Sequence, residues 1–440
     1  LLATSLVCGR EVFVAPQGDD AGPGTLAQPF RTIQHAVDGL QPGDTCYVRA
    51  GVYRETVTIP RGGTADQPLR IVGAPGERVI LDGTDPIPGP WQPYRGQIQQ
   101  TKAPFAFAQL FVNRQMMLEA RWPNTTFDKL LTREGWEPTG PRSKYQQIQD
   151  PQLAGTGIDW TGAQAMLNVA HQFWSWSRPV LNYQRGGETF DYEISMNPFH
   201  SENRSWWDDD YYYLYGKLEA LDAPGEWYLG DDHTLYLQPP DGVDLSRAEV
   251  VAKVRDHGFR GDGLAYVELR GFEFFGCTFE LTNANHCLVE RCNLLFPSFT
   301  RGVPDADEQP GAAPGTRVIG NDNIVRGCSF EHCGNYGIRV NGQRNLVENC
   351  LLHDINWSGT LRYTAIAVSG GKDGPAQNVV RGNTCYDVGN TILITSGPES
   401  VLEYNHVHHG GLISSDVSLL YTSTDRAMGN GQEDIHDLVF

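Results

Sequence analysis

NLVENCLLHDI occupies residues 345–355, and its pattern returns four more times with similar residue types in the same places. The matching stretches are CLVERCNLLF from Cys287, NIVRGCSFEHC from Asn323, NVVRGNTCYDV from Asn378 and SVLEYNHVHHG from Ser400. One column holds Cys292, Cys328, Cys350, Asn383 and Asn405, at intervals of 36, 22, 33 and 22 residues. Three places earlier stand Val289, Val325, Val347, Val380 and Leu402; two places later stand Leu294, Phe330, Leu352, Cys385 and Val407. A rung of about 22 residues, with loops extruded at fixed corners, is the pattern of a parallel β-helix in which each coil stacks on the one before. The apolar columns are then inward positions, the asparagines a hydrogen-bonding ladder at a turn, and the cysteines small buried hydrophobes. No CxxC metal spacing occurs among the nine cysteines, so zinc is not indicated. Disulfides are left to cysteines off the ladder, for instance Cys277 or Cys333.

A second strand follows each of the last coils: YGIRVNG from Tyr336, TAIAVSG from Thr364, NTILITSG from Asn390 and DVSLLYTS from Asp416. These are β-branched runs bounded by Gly, Asn or Ser, and no helical period appears in this half. The fold class is therefore all-β.

Composition agrees. The chain has 440 residues, 49 glycines and 27 prolines, which demand frequent turns, and 40% apolar residues, which exclude disorder. A net charge of −19 argues against nucleic acid as a partner, because phosphate binding needs a basic surface. No window is apolar enough to span a bilayer. LLATSLVCG, residues 1–9, reads as the tail of a secretory signal, so the protein is expected to be secreted or periplasmic. Anchoring to an outer surface through a lipidated Cys8 is the variant of that reading, and an ordinary first strand is the alternative to it. Nothing in the sequence indicates an oligomeric state.

In residues 12–59 a strand and a Gly-rich loop lead into FRTIQHAVDGL, where Ile33, Ala36, Val37 and Leu40 keep a helical period. The loop is no phosphate cradle, since no GK[ST] follows and its charges are acidic. The stretch VAPQGDDAGPGTLAQPFRTIQHAVDGLQPGDTCYVRAGVYRE, from Val14, resembles the entry segment of secreted right-handed parallel β-helix proteins that act on polysaccharides, the pectate-lyase-like superfamily with its β-helix glycoside hydrolases. The resemblance implies a right-handed coil whose open end is capped by the helix, where an uncovered rung would expose backbone edges.

From Trp91 to Val254 the rung pattern is lost, and aromatic residues crowd in: Trp174, Trp176, Trp206, Trp207 and the run Tyr211–Tyr213. GEWYLGDDHTLYLQPPDG, from Gly225, reads as a hairpin about a Gly-Asp-Asp-His turn. LFVNRQMMLEARWPN, from Leu110, and this hairpin resemble an insertion carried between early coils by many β-helix glycoside hydrolases. The expected organisation is a signal remnant over 1–9, the cap and first coils over 10–90, an inserted β-rich subdomain over 91–254, and coils carrying the active-site groove over 255–440. Most of the aromatics should form a small core, while Trp174, Trp176 and Trp207 are candidates for stacking on sugar rings.

In such a coil, side chains of one column stand about 4.8 Å apart, so ionisable columns are the places to look for chemistry. Phe296, His332, Asp354, Asp387 and His409 form one, and Leu295, Glu331, His353, Tyr386 and His408 its neighbour. This corner reads either as a proton-transferring or metal-binding set, or as a solvated polar edge. The second place is HHGGLISSDVSLLYTSTD, residues 408–425, which resembles a groove-lining segment of β-helix glycoside hydrolases. Glycoside hydrolysis takes two carboxyl groups, about 5 Å apart for retention or 6.5–9.5 Å for inversion. Asp416 and Asp425 are the expected pair, with His409 and Tyr421 beside them as further catalytic candidates. Nine extended residues reach about 30 Å, so the pairing needs a sharp turn after Tyr421. Otherwise Asp416 pairs with Asp387, Asp354 or a residue of the 296–322 insertion. Tyr421 shares a column with Asn341, Ser369 and Thr395. Arg339 and Arg362, with Asp387, Trp174 and Trp207, are the expected substrate contacts.

The expected function is hydrolysis of a poly- or oligosaccharide, without a cofactor or metal. The alternatives are a lyase or epimerase acting on a uronic-acid glycan through His408, His409, Tyr421 and Arg362, for which Ca²⁺ would be the helper ion, and a non-catalytic glycan-binding or adhesin β-helix.

Overall fold

The structure, a computed structural model, describes residues 9–193, 209–303, 314–361, 363–370, 375–415 and 417–422. Three parallel sheets run the length of the coil. Sheet A has nine strands, from Glu11–Val14 to Val401–Glu403; sheet B has eight, from Gly51–Tyr53 to His406–His408; sheet C has eight, from Val57–Ile59 to Leu420–Thr422. The chain passes from A to B to C in every full coil. The inward columns are those of the sequence pattern: in sheet A, Val289, Val325, Val347, Val380 and Leu402 are in register, and in sheet B Leu294, Phe330, Leu352, Cys385 and Val407. Together with Val12, Cys46, Ile71 and Leu269 they build one continuous core. At about 1.5–3 kcal/mol for each large apolar side chain, this burial dominates the stability of the coil.

Left-handed residues turn the corners of each coil. The B-to-C corner carries Gly276, Phe296, His332, Asp354, Asp387 and His409, all with φ between 53° and 65°. Inside the coil, Asn345 holds its neighbours on both sides. Its Oδ1 accepts from the backbone N–H of Asn323 at 3.0 Å, and its own backbone N–H donates to Asn378 Oδ1 at 2.9 Å. Asn383 and Asn405 repeat this one corner on, under Cys350. Where sheet C ends, glycine is required: a Cβ on Gly342, at φ +134°, would stand 1.9 Å from the carbonyl oxygen of Gly320 in the coil above. The cysteines are buried and unpaired at all eight described positions, so the disulfides expected at Cys277 or Cys333 do not form. Both side chains lie inside the core rather than at its rim, and burial pushes the Cys277 thiol up to about 12.

At the start of the coil the helix Ile33–Asp38 turns Ile33, Ala36 and Val37 inward, as its period predicts. The Glu55 carboxylate accepts from the N–H groups of Ile33 and Gln34 at its N-terminus. Between the sheet B strand Val79–Asp82 and the sheet C strand His257–Asp262 the chain leaves the coil. Sheet A is not interrupted: Ile71 stands beside Leu269 as though nothing lay between them. The excursion forms an eight-stranded sheet and a five-stranded sheet, both largely antiparallel, around two aromatic-rich cores. Among its strands are the expected hairpin, Glu226–Leu229 with Thr234–Leu237. Among the described residues no helix is long and apolar enough to cross a membrane.

Candidate active site

The long excursions near the site leave the coil at one corner, between sheets B and C: the inserted sheets, residues 296–315, residues 356–365 and residues 409–419. The insertion folds back onto this corner and is stitched to it. Ser177 N donates to Val303 O at 2.8 Å, Tyr215 Oη to Arg301 O at 2.9 Å, Thr360 Oγ1 to Ser175 O at 3.2 Å, and Ser415 N to Gln172 O at 3.1 Å. Trp136, Met166 and Tyr215 of the insertion pack against Tyr336, Tyr363 and Ile413 of the coils. A cavity of about 100 Å³ remains in this seam, lined by Met116, Trp136, Tyr213, Trp227 and Trp357, with the Glu119–Arg301 ion pair at its wall.

The two ionisable columns are where the repeat puts them. Glu331, His353, Tyr386 and His408 are in register on the outer face of sheet B, and the last three rings stack at 4.9 and 5.1 Å with planes 7° and 6° apart. The corner column is occupied by His and Asp for a backbone reason. Left-handed φ is least costly for Asn, Asp and His once glycine is excluded. Asp354 Oδ2 lies 2.6 Å from His353 Nδ1 and 3.6 Å from His332 Nδ1. Burial alone would pull His353 down, but the hydrogen bond to Asp354, with Glu331 and Asp387 behind it, raises it; Asp354 is lowered against its own burial by the same pair. Phe127 and Trp357 cover the upper end of the corner at His332, and the lower end is open. There His409 Nδ1 stands 3.3 Å from Asp387 Oδ1 and 3.1 Å from His408 Nδ1. Among the described residues no three His, Cys, Asp or Glu side chains are placed to hold a metal ion.

The structure thus brings His409 and Asp387 together. Tyr421 is half exposed on sheet C, but its register differs from the sequence alignment: it follows Arg339, Ala367 and Ile394, while Asn341 and Ser369 continue to Ser396. Each of the last two coils is one residue longer than the alignment allows, a two-residue shift that leaves Tyr421 on the outer face of sheet C. Arg339 and Tyr421 are three coils apart, roughly 14 Å at about 4.8 Å per coil, so they do not meet directly. The Arg339 guanidinium lies over the Tyr336 ring at 4.3 Å. Trp176 is 4% exposed in the insertion's core and is removed from the candidate sugar platforms. Trp174 pairs with Val169 across the same hairpin, and its side chain lies outside the described residues. Asp416, Asp425, Arg362, Trp207 and Cys8 also lie outside them.

Sequence reasoning passed over a second cluster at the seam. The hairpin turn Ala170–His171–Gln172 has three consecutive left-handed residues, φ 59°, 56° and 64°. At about 1–2 kcal/mol each, such a turn persists only if its surroundings hold it. One holder is Asp210, 1% exposed, whose Oδ1 accepts from the backbone N–H of Gln172 at 3.4 Å, with the N–H groups of Ala170 and His171 turned towards the same carboxyl. Its Oδ2 has no hydrogen-bond partner, and burial pushes the carboxyl up to about 8, against the pull of those N–H groups. Arg133 donates to Gln172 Oε1 at 2.6 Å and to the Ile413 carbonyl, and burial lowers it to about 10. His171 pairs with Asp209 at 2.8 Å, and its carbonyl accepts from Ser415 Oγ. The signal for this cluster was the acidic run Asp208–Asp210 inside an aromatic stretch. A carboxyl that keeps its proton at neutral pH suits a general acid, but one so deeply enclosed cannot reach a substrate.

With three stacked parallel sheets and a capping helix, this chain is a right-handed parallel β-helix protein. Residues 12–117 match the model of the Pel9A-like right-handed β-helix region, and residues 314–430 that of the right-handed β-helix region. A pectate lyase, PEL9, of Emericella nidulans is 39% identical over 85 residues, and the uncharacterized protein YwoF of Bacillus subtilis is 35% identical over 75. Those matches take in 19% and 17% of this chain but only 20% and 16% of the relatives' lengths. A solved structure described as a glycoside hydrolase superposes over 94% of this chain and 85% of its own, with a TM-score of 0.71 at 17% identity, a likeness of fold.

Proposed function

We propose that the protein is an exported glycoside hydrolase that cleaves a poly- or oligosaccharide at the seam between the insertion and the last coils. The observation that carries this reading is the anchoring of Ser415: the insertion's turn holds its N–H and its hydroxyl, so the chain leading into Asp416 starts from the wall of the seam. Asp416 and Asp425 supply the acid and the base or nucleophile. His409, 3.3 Å from the Asp387 carboxylate, and the exposed Tyr421 serve as further catalytic groups. Arg339, Arg362, Trp174 and Trp207 hold the glycan. The reading is tested by reducing-end release from a panel of neutral and uronic-acid glycans. The wild type cleaves at least one, and Asp416→Asn loses about 10²–10⁴-fold in kcat. Full activity in Asp416→Asn refutes the assignment.

A lyase is the second reading, favoured by the 39% identity of the first coils to a pectate lyase. It predicts absorbance at 235 nm from an unsaturated product, dependence on added Ca²⁺, and activity on uronic-acid glycans alone. Binding without any product would make the chain a glycan-binding module.

A further inference from the structure

Asp210 is a deeply enclosed carboxyl that no acid–base step above uses, and its connections run towards the site. Its Oδ1 accepts the backbone N–H of Gln172 at 3.4 Å, and the N–H groups of Ala170 and His171 turn towards the same carboxyl, in a turn of three consecutive left-handed residues. The carbonyls that the same turn presents outward are the ones that receive Ser415: Gln172 O takes its N–H at 3.1 Å and His171 O takes its hydroxyl. Arg133 closes the ring from Gln172 Oε1 to the Ile413 carbonyl. The path from buried carboxyl to turn to Ser415 is two hydrogen-bonded links long, and one peptide bond leads on to the next residue. Asn168 Nδ2 on Gln172 O and Gln172 Nε2 on Asp209 O, each at 3.0 Å, brace the turn from other sides, while Asp210 meets it from the side of its N–H groups.

We propose that Asp210 is a positioning residue: by gripping the Ala170–Gln172 turn it fixes the two carbonyls that hold Ser415, and so anchors the segment through which the chain reaches Asp416. The anchoring stands on its own geometry; its consequence for catalysis rests on the hydrolase reading. Removing the carboxylate frees the turn and loosens residues 411–415, while an amide in its place keeps one oxygen for the N–H groups and preserves the grip.

The test is amide hydrogen exchange on the full chain for wild type, Asp210→Ala and Asp210→Asn, with kinetics on whichever glycan of the panel the wild type cleaves. Asp210→Ala is expected to speed exchange in peptides covering 166–173 and 411–415 by about tenfold or more, leaving the sheet A strands Leu346–Glu348 and Val379–Arg381 unchanged. Its kcat should fall about tenfold with KM within about twofold, and Asp210→Asn should recover most of both losses. Unchanged exchange at 411–415 in Asp210→Ala overturns the anchoring, as does Asp210→Asn loosening the sheet A strands along with the turn. Inactive Asp416→Asn beside a wild-type kcat in Asp210→Ala overturns the catalytic consequence alone. Active Asp416→Asn with loosened 411–415 supports the anchoring and overturns the hydrolase assignment.

Discussion

Asp210→Asn should also alter how stability depends on pH, and the size of the effect follows from burial. The carboxyl is raised from 3.8 to about 8, chiefly because its charged form is shut away from water. A proton bound more tightly by the folded chain stabilises the fold in full below the unfolded value, and that contribution drains away as pH climbs to the folded value. Between pH 5 and pH 9 the wild type therefore loses about 4 kcal/mol from this group, at about 1.4 kcal/mol for each of roughly three units. Asparagine has no proton to lose and is free of that slope. An unfolding entropy of about 2.1 cal/mol/K per residue gives a chain of 440 residues about 0.9 kcal/mol/K, so the loss is worth about 4 °C in Tm. At pH 5 the variant should melt at or slightly below the wild type, because its amide N–H groups face the side where Oδ2 now has no partner. Calorimetric scans at several pH values should show the variant-minus-wild-type difference rising by about 4 °C from pH 5 to pH 9. Groups such as His353 titrate in both proteins and cancel. Parallel curves would show that Asp210 ionises in the folded chain as it does in water, and the reasoning from burial would fall. A carboxyl kept at such a cost beside a docking seam is the kind of stability sacrifice expected near a working site.

Asn345→Ala removes the buried acceptor for two Asn323 groups and the partly buried donor to Gly320 O, and should cost about 3 kcal/mol, read as a drop of about 3 °C in Tm. Gly342→Ala would drive a methyl into the Gly320 carbonyl and force the coils apart, so it should lower Tm by more than Asn345→Ala or abolish soluble expression. Asp425→Asn should lose about 10²–10⁴-fold in kcat, as Asp416→Asn does, with Tm unchanged. Tyr421→Ala, half exposed on sheet C, should raise KM or lower kcat several-fold without changing Tm; wild-type kinetics would remove it from the site.

The coil was legible because a parallel β-helix is quasi-one-dimensional: each rung meets only its neighbours, and contacts repeat in sequence with the rung. Val325 and Val347, or His353 and Tyr386, could be placed in their columns by counting residues. The ladder asparagines and the buried cysteines were visible for the same reason. Counting failed where a turn changed length, and Tyr421 moved from the column of Asn341 to that of Arg339. The insertion has no period, so its contents resisted the method: Trp176 went to a core, and Asp210 went unnoticed.

By itself, then, the sequence determined the β-helix, its capping helix, its inward columns and the His/Asp corner, since these follow from local period and from the backbone conformations that Asp and His tolerate. Only the tertiary structure decided that the insertion docks on the same corner from which the late loops emerge, and that Asp210 grips the turn which holds Ser415. The hydrogen bond from Ser415 to the His171 carbonyl joins residues 244 apart. No spacing rule reaches across an aperiodic subdomain; that contact is set by how two separately built cores fit together.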